Sequence, residues 1–427
     1  MMTIHARPLW LRDITEINVN AAIPDWLLKS KLRSWDYLIK SGMPTRKQER
    51  FKYTDFSFLM NKQYSLSQQK DLTKLSDFIS KCRIKHSNAI CLVIVNGVFQ
   101  PALSDVAQLP DAIKVMTLAD ALAQDPELLQ QQFVNAAPTY FAELNHALFI
   151  DGLFLQVADL YQSEQPIHVL SIITEQNDCL ISPRHVFMIG KHANVTILED
   201  YEALHANSYL HNVVTHWELQ EGAVAQCYKR QHENTQASHY AHSFLDLRES
   251  SQFELVNMTT GGIFSRDDVL ARLRGVSASC SLSGFYTLKQ ASQYVDHHIE
   301  IIHQAKNTNS EMMYKGILDH SSRAVFNGRL HVDQDAQRVN AYQANHHLLL
   351  SSEAEAYSKP ELEIYADDVK CKHGATTGQL DENALFYLQS RGIEKKQAKE
   401  ILMQGFAEEI LKRISNPSLL AHMQEIL

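Results

Sequence analysis

Apolar residues fall at helical spacing near the start of the chain and at short, β-type spacing through its middle. In Pro24 to Ser41, Leu28, Leu32, Trp35 and Ile39 recur as one stripe, with Pro24 in the first turn and Gly42 at the end, which predicts a packed helix. Ala89 to Phe99, AICLVIVNGVF, is a run of β-formers broken by an Asn-Gly pair, the signature of a tight turn. Asp111 to Phe133 mixes a short strand with helix. From about Asn145 to Lys372 short β-rich segments take over, such as HALFIDGLFLQV, NVTILEDY and AVFNGRLHV.

Turn-like clusters precede several of these strands: GKHA before Asn194, QEGA before Val224, RESS before Gln252, RGVS before Ala278 and DQDA before Gln337. A turn-then-strand theme points to a solenoid, but its period is irregular, and a β-sandwich gives the same local pattern. Past Gly378 the pattern is helical again. Asp381 can cap a helix running to Arg391, with Gly392 as its left-handed end. A second helix from about Lys395 carries the stripe Ala398, Ile401, Leu402, Phe406, Ile410 and Ile414, and Pro417 marks its stop. The expected division is 1–140, mixed and mainly helical; 141–375, a β core; and 376–427, helical.

Charge narrows the classes. A formal net charge of -9 disfavours a nucleic-acid partner, and the basic run from Arg46 to Lys52 reads as a solvated face. No basic leader with an apolar segment opens the chain and no run is long enough to span a bilayer, so a cytoplasmic protein without a membrane partner is expected. Six scattered cysteines suggest reduced, mostly buried thiols rather than a disulfide framework. There is no phosphate loop, no GxSxG elbow and no HExxH. Asp267 with Asp268 and Asp367 with Asp368 are adjacent, so each pair diverges on a strand and is expected in solvent or a turn. His297 with His298 and His346 with His347 diverge likewise. His239 and His242 would meet only on a helix, which the β-pattern disfavours, and His303 reads as a hydrogen-bonding residue.

The stretch KPELEIYADDVKCKHGATTG, Lys359 to Gly378, is different. Cys371 and His373 lie two apart in an extended segment and face the same way, about 6 to 7 Å between Cα atoms. A thiolate and an imidazole are half a metal or cluster site, and no other cysteine lies within about ninety positions. The remaining ligands must come from distant segments or a second chain.

This stretch and its sequel DENALFYLQSRGIEKKQAKEILMQGF closely resemble the SufB/SufD family of iron-sulfur cluster assembly proteins, as do PTRKQERFKYTDF near the start, NTNSEMMYKGIL and SSRAVFNGRLHV. KCKHGA resembles the SufD branch, and RVNAYQANHHLLL lacks the cysteine expected of SufB. The resemblance implies a mainly β fold: a right-handed parallel β-helix flanked by an N-terminal, mostly helical domain and a C-terminal helical one. It implies a non-catalytic scaffold subunit that pairs with SufB through the β-helix and with the ATPase SufC through the C-terminal helices, where Phe386, Arg391, Gly392 and Phe406 are the candidate contacts. Cys371 and His373 would face a transient iron-sulfur cluster shared with SufB. Reduced flavin is implicated in iron acquisition by the complex; no cofactor is expected in the isolated chain, which could form a homodimer through the same edge. Two readings compete: a β-helical carbohydrate-active enzyme, and a stand-alone metal-dependent enzyme using the 21 histidines.

Overall fold

The computed structural model describes all residues except 1–7, 9, 12–22, 68–71, 73–74, 134–138, 177 and 427. Two sheets, of eleven and ten strands, face each other as a β-solenoid of about eight turns, which decides against the sandwich. From Asn194–Ala203 onward successive strands alternate between the sheets, and each pairs in parallel with the strand one turn away, as Tyr209–Leu219 does with Ala237–Leu247 over its full length.

Turns set that register. His192, Gly222, Ser250, Ser277 and Asn307 all have positive φ, between 54° and 66°. Each stands two residues before a strand of the ten-stranded sheet: Asn194–Ala203, Val224–His232, Gln252–Thr259, Ser279–Leu288 and Asn309–Leu318. Only one of the five is glycine, so the usual punctuation of a left-handed turn is hidden in the sequence. At Asn96 and Gly97 the expected Asn-Gly turn joins Ile90–Val95 to Val98–Phe99 as an antiparallel hairpin. Ile90–Val95 and Ile113–Thr117 pair into the two sheets, so the first 140 residues contribute strands to the solenoid as well as helices.

Apolar columns such as Val195, Ala225, Phe253 and Cys280 fill the interior beside Trp217, Leu245 and Ile301 from the facing sheet. The next columns are polar, and Lys229 bridges the sheets to Asp267 at 3.0 Å. Gly316, in the YKGIL segment, is in register with Tyr286, and a Cβ built there would lie 2.1 Å from the Tyr286 ring. Gly316→Ala is therefore expected to cost about 1–3 kcal/mol through overpacking. A urea midpoint measures it, with Gly374→Ala, where a Cβ meets nothing within 4 Å, as the control.

N-terminal helices cover the outer face of the eleven-stranded sheet, where Phe56 and Phe141 pack with Tyr240 and Phe264. The C-terminal helices cover the ten-stranded sheet, where Ile410, Ile414 and Leu419 meet Val256, Phe285 and Met313.

Four expectations need correction. The helix Asp25–Ser41 forms between Pro24 and Gly42 as expected, but it buries Leu27, Lys31, Ser34 and Leu38, one position off the apolar stripe, and Leu32 is 49% exposed. Lys31 decides the rotation. Its Nζ donates to the Phe149 carbonyl at 2.6 Å and sits over the Phe149 ring, contacts that a hydrophobicity pattern does not count. Asp267 and Asp268 do diverge, yet both are buried and paired, Asp267 with Lys229 and Asp268 with Arg266. Arg50 leaves the otherwise solvated basic run to lie 3.4 Å from Asp268. Finally, the second C-terminal helix, Lys395–Leu411, stops before Pro417, and Pro417 instead opens a third, Pro417–Gln424, capped by the Asn416 side chain.

Candidate functional site at the open end of the solenoid

Strands Glu355–Ile364 and Val369–Gln379 end the two sheets, and each has one neighbour only among the described residues. Their outer edges carry backbone donors and acceptors with no strand to pair with. The two edges differ. Glu355–Ile364 contains Pro360, which has no N–H to give and blunts that edge. Val369–Gln379 contains no proline and is open to strand addition.

Cys371 and His373 lie on the open strand, in register with Ala341 and Gln343 of the preceding turn, both buried inside the solenoid. They share the inward face, as alternation requires. Cys371 is half-buried against the interior apolar cluster, while His373, beyond the last covered turn, is exposed. Burial raises the Cys371 thiol above its ordinary pKa, so the neutral thiol is favoured until a metal or positive charge approaches. Among the described residues no third ligand joins this pair. His303 and His347 are held as polar structure: His303 bonds Thr308 at 2.7 Å and Ser310 at 2.9 Å, and His347 bonds the Tyr286 hydroxyl at 2.6 Å.

The N-terminal block reaches this end. Tyr53 stacks on Tyr357 with ring centroids 5.0 Å apart, and Lys359 pairs with Glu49.

Beyond the open strand, Asp381 accepts hydrogen bonds from the Asn383 and Ala384 N–H groups and caps the helix Glu382–Ser390, which Gly392 ends at φ 86°. That helix buries no residue, and Phe386 is 71% exposed. Arg391 is exposed and donates to the Tyr387 hydroxyl at 3.1 Å. Phe406 differs. It is half-buried, with Lys315 Nζ 5.0 Å from its ring centre, so Phe386 and Arg391 are the better-presented of the candidate contacts.

Sequence reading missed two buried groups that the turns assemble, His211 with Glu233 and His239, and His168 with Asp200 and His422. His211 and His239, like His168 and Asp200, stand about one solenoid turn apart, a spacing that becomes informative only once the turn length is known, and His422 joins from the last helix. No helix among the described residues is long and apolar enough to cross a membrane.

The chain is a long β-solenoid with a thiol and an imidazole on one open edge strand, flanked by a helix that buries no residue, and such unpaired edges are what a component of a larger assembly presents. The family models agree: one described as the SUF system FeS cluster assembly, SufBD core domain, matches residues 171–406, and one for the SufBD protein N-terminal region matches 16–169. The chain belongs to the SufBD family and is SufD-like within it. It is 28% identical to an iron-sulfur cluster assembly SufBD family protein of Synechocystis sp., over 93% of this chain and 90% of the relative. It is likewise 28% identical to the iron-sulfur cluster assembly protein SufD of Escherichia coli, over 90% and 88%. For the chloroplastic protein ABCI7 of Arabidopsis thaliana the identity is again 28%, over 95% and 86%.

Proposed function

We propose that this chain is a non-catalytic scaffold half of a SUF assembly complex, joined to a SufB partner through the Val369–Gln379 edge and to the ATPase SufC through the Glu382–Ser390 helix. One observation carries the reading: Cys371 and His373 share the inward face of the one terminal strand that no proline blunts. A partner strand added there would bring its own ligands to the same seam, and the nascent cluster, as cargo, would be held by both chains. A site divided in this way can be opened. Movement of the helical segment, driven by nucleotide binding to the ATPase, would shift the two chains and loosen the cluster. Iron delivery with reduced flavin belongs to the complex, and without a partner the same edge would pair two copies of this chain.

The test is to change Cys371→Ala and His373→Ala separately, coexpress each with SufB and SufC, and measure assembly together with bound iron and sulfide. Both variants should still assemble, because neither side chain forms the ladder. Cluster retention should fall by at least the roughly 10–100-fold that loss of a supporting contact costs a metal site. Normal cluster loads in both variants would refute the ligand role.

A further inference from the structure

We propose that His211, Glu233 and His239 bind one divalent transition-metal ion of the zinc type, enclosed inside the solenoid with a structural role. His211 and His239 are in register on adjacent strands, and Glu233 follows the strand Val224–His232 of the facing sheet. One ligand atom from each lies within 4.8 Å of the others, and all three residues are buried. Glu233 presents one oxygen to each ring: Oε1 is 3.2 Å from His211 Nδ1, and Oε2 is 2.7 Å from His239 Nδ1. His211 Nδ1 shares a hydrogen bond with Oε1 and His239 Nδ1 stands at ion-pair distance from Oε2, while Nε2 of each buried ring has no hydrogen-bond partner. A divalent ion bound here would take the place of protons that the imidazoles now offer to the carboxylate.

Two histidines and a carboxylate are a donor set that zinc accepts. The supporting contacts are also built. The Tyr209 hydroxyl donates to Glu233 Oε1 at 3.0 Å and Gln231 Nε2 donates to Oε2 at 2.9 Å, which orients the carboxylate. The Tyr201 ring lies edge-on to both imidazoles. Among the described residues no lysine or arginine lies within salt-bridge distance of Glu233, so its buried charge is met only by the two imidazoles and by neutral donors. In the second group, His168 with Asp200 and His422, the carboxylate already has a cation, because Arg230 Nη1 stands 2.8 Å from Asp200 Oδ1. An ion at Glu233 departs from the expectation of a cofactor-free isolated chain. It shares no residue with the terminal strand, so the two readings can fail separately.

Because the site is enclosed, the ion enters during folding. The full chain is unfolded with chelator, refolded with Zn²⁺ or with Co²⁺ as an optical probe, desalted and analysed for metal. One equivalent is expected in the wild type and in a Cys371→Ala/His373→Ala chain, with a tetrahedral Co²⁺ spectrum free of thiolate charge-transfer bands and a raised Tm for the zinc form. Glu233→Gln and His239→Gln should each refold by circular dichroism and lose the ion. Should one variant not refold, the other and the wild-type stoichiometry decide. Wild-type protein that refolds without retaining metal, thiolate bands in the Co²⁺ spectrum, or unchanged retention in the variants would overturn the proposal.

Discussion

Acidification from pH 7.5 to 5 is expected to unfold this protein, well before its carboxylates are protonated. Burial drives His185 and His242 down to about 3, and His297, His303 and His347 down to about 4. In the unfolded chain each would titrate near 6.5. A folded pKa below the unfolded one means that the unfolded state binds more protons in between. Stability from these groups is therefore complete above about pH 6.5 and is lost as the pH falls toward about 4. Each histidine contributes a slope of up to about 1.4 kcal/mol per pH unit, so five together withdraw roughly 10 kcal/mol by pH 5, against a typical total of about 5–15 kcal/mol. Urea midpoints from pH 7.5 to 5 measure the slope directly. His303→Gln should flatten it by up to about one proton, because it removes a ring whose pKa burial alone holds down at about 4. A midpoint that stays level across this range would show that the buried rings accept protons without opening the fold.

Arg266→Met should be the most damaging single substitution among the surface-facing sheet positions. Arg266 lies under the N-terminal segment, donating to Asp268 at 2.9 Å and to Asp296, with the Phe51 ring 4.8 Å from its guanidinium. All three charged residues are buried. Burial by itself lowers the guanidinium, but the two carboxylates outweigh it and raise the pKa, so the charge stays. Replacing the arginine leaves buried Asp296 with no cation and Asp268 with only Arg50 at 3.4 Å, a change worth about 3–5 kcal/mol. Lys191→Met breaks only the exposed pair with Glu221, at 3.4 Å, and should cost about 0–1 kcal/mol. Adding Asp296→Asn to the Arg266→Met chain should recover part of the loss, since one stranded charge is gone. Equal midpoints for Arg266→Met and Lys191→Met would mean that the network is not holding the N-terminal segment.

Some of this was readable from residue order. Asp381, Gly392 and the Asn-Gly pair at 96 and 97 act through their own backbone, so their caps and turns form where local rules place them. Alternation put Cys371 and His373 on one face and separated His346 from His347, because a strand's geometry is the same wherever it lies. Helical spacing locates Asp25–Ser41 but puts its buried face one residue off. Lys31 is counted as polar by any periodicity, and only the carbonyls at the end of the Tyr140–Leu148 helix make its burial favourable. The buried state of Asp267 and Asp268 was hidden because Lys229 reaches Asp267 from the facing sheet, and Arg266, on the same face of the same strand as Asp268, is covered by the distant Arg50–Phe51 segment.

Local chemistry, then, was settled by the order of residues: where strands begin, which helix ends are capped, and which neighbouring side chains share a face, since each depends on a few consecutive dihedral angles. What the fold alone decided is everything set by the length of a turn. Stacking strands about thirty residues apart brings His211 beside His239, and carries Cys371 to the open end. Register converts distance along the chain into contact, and no short window of sequence holds that information.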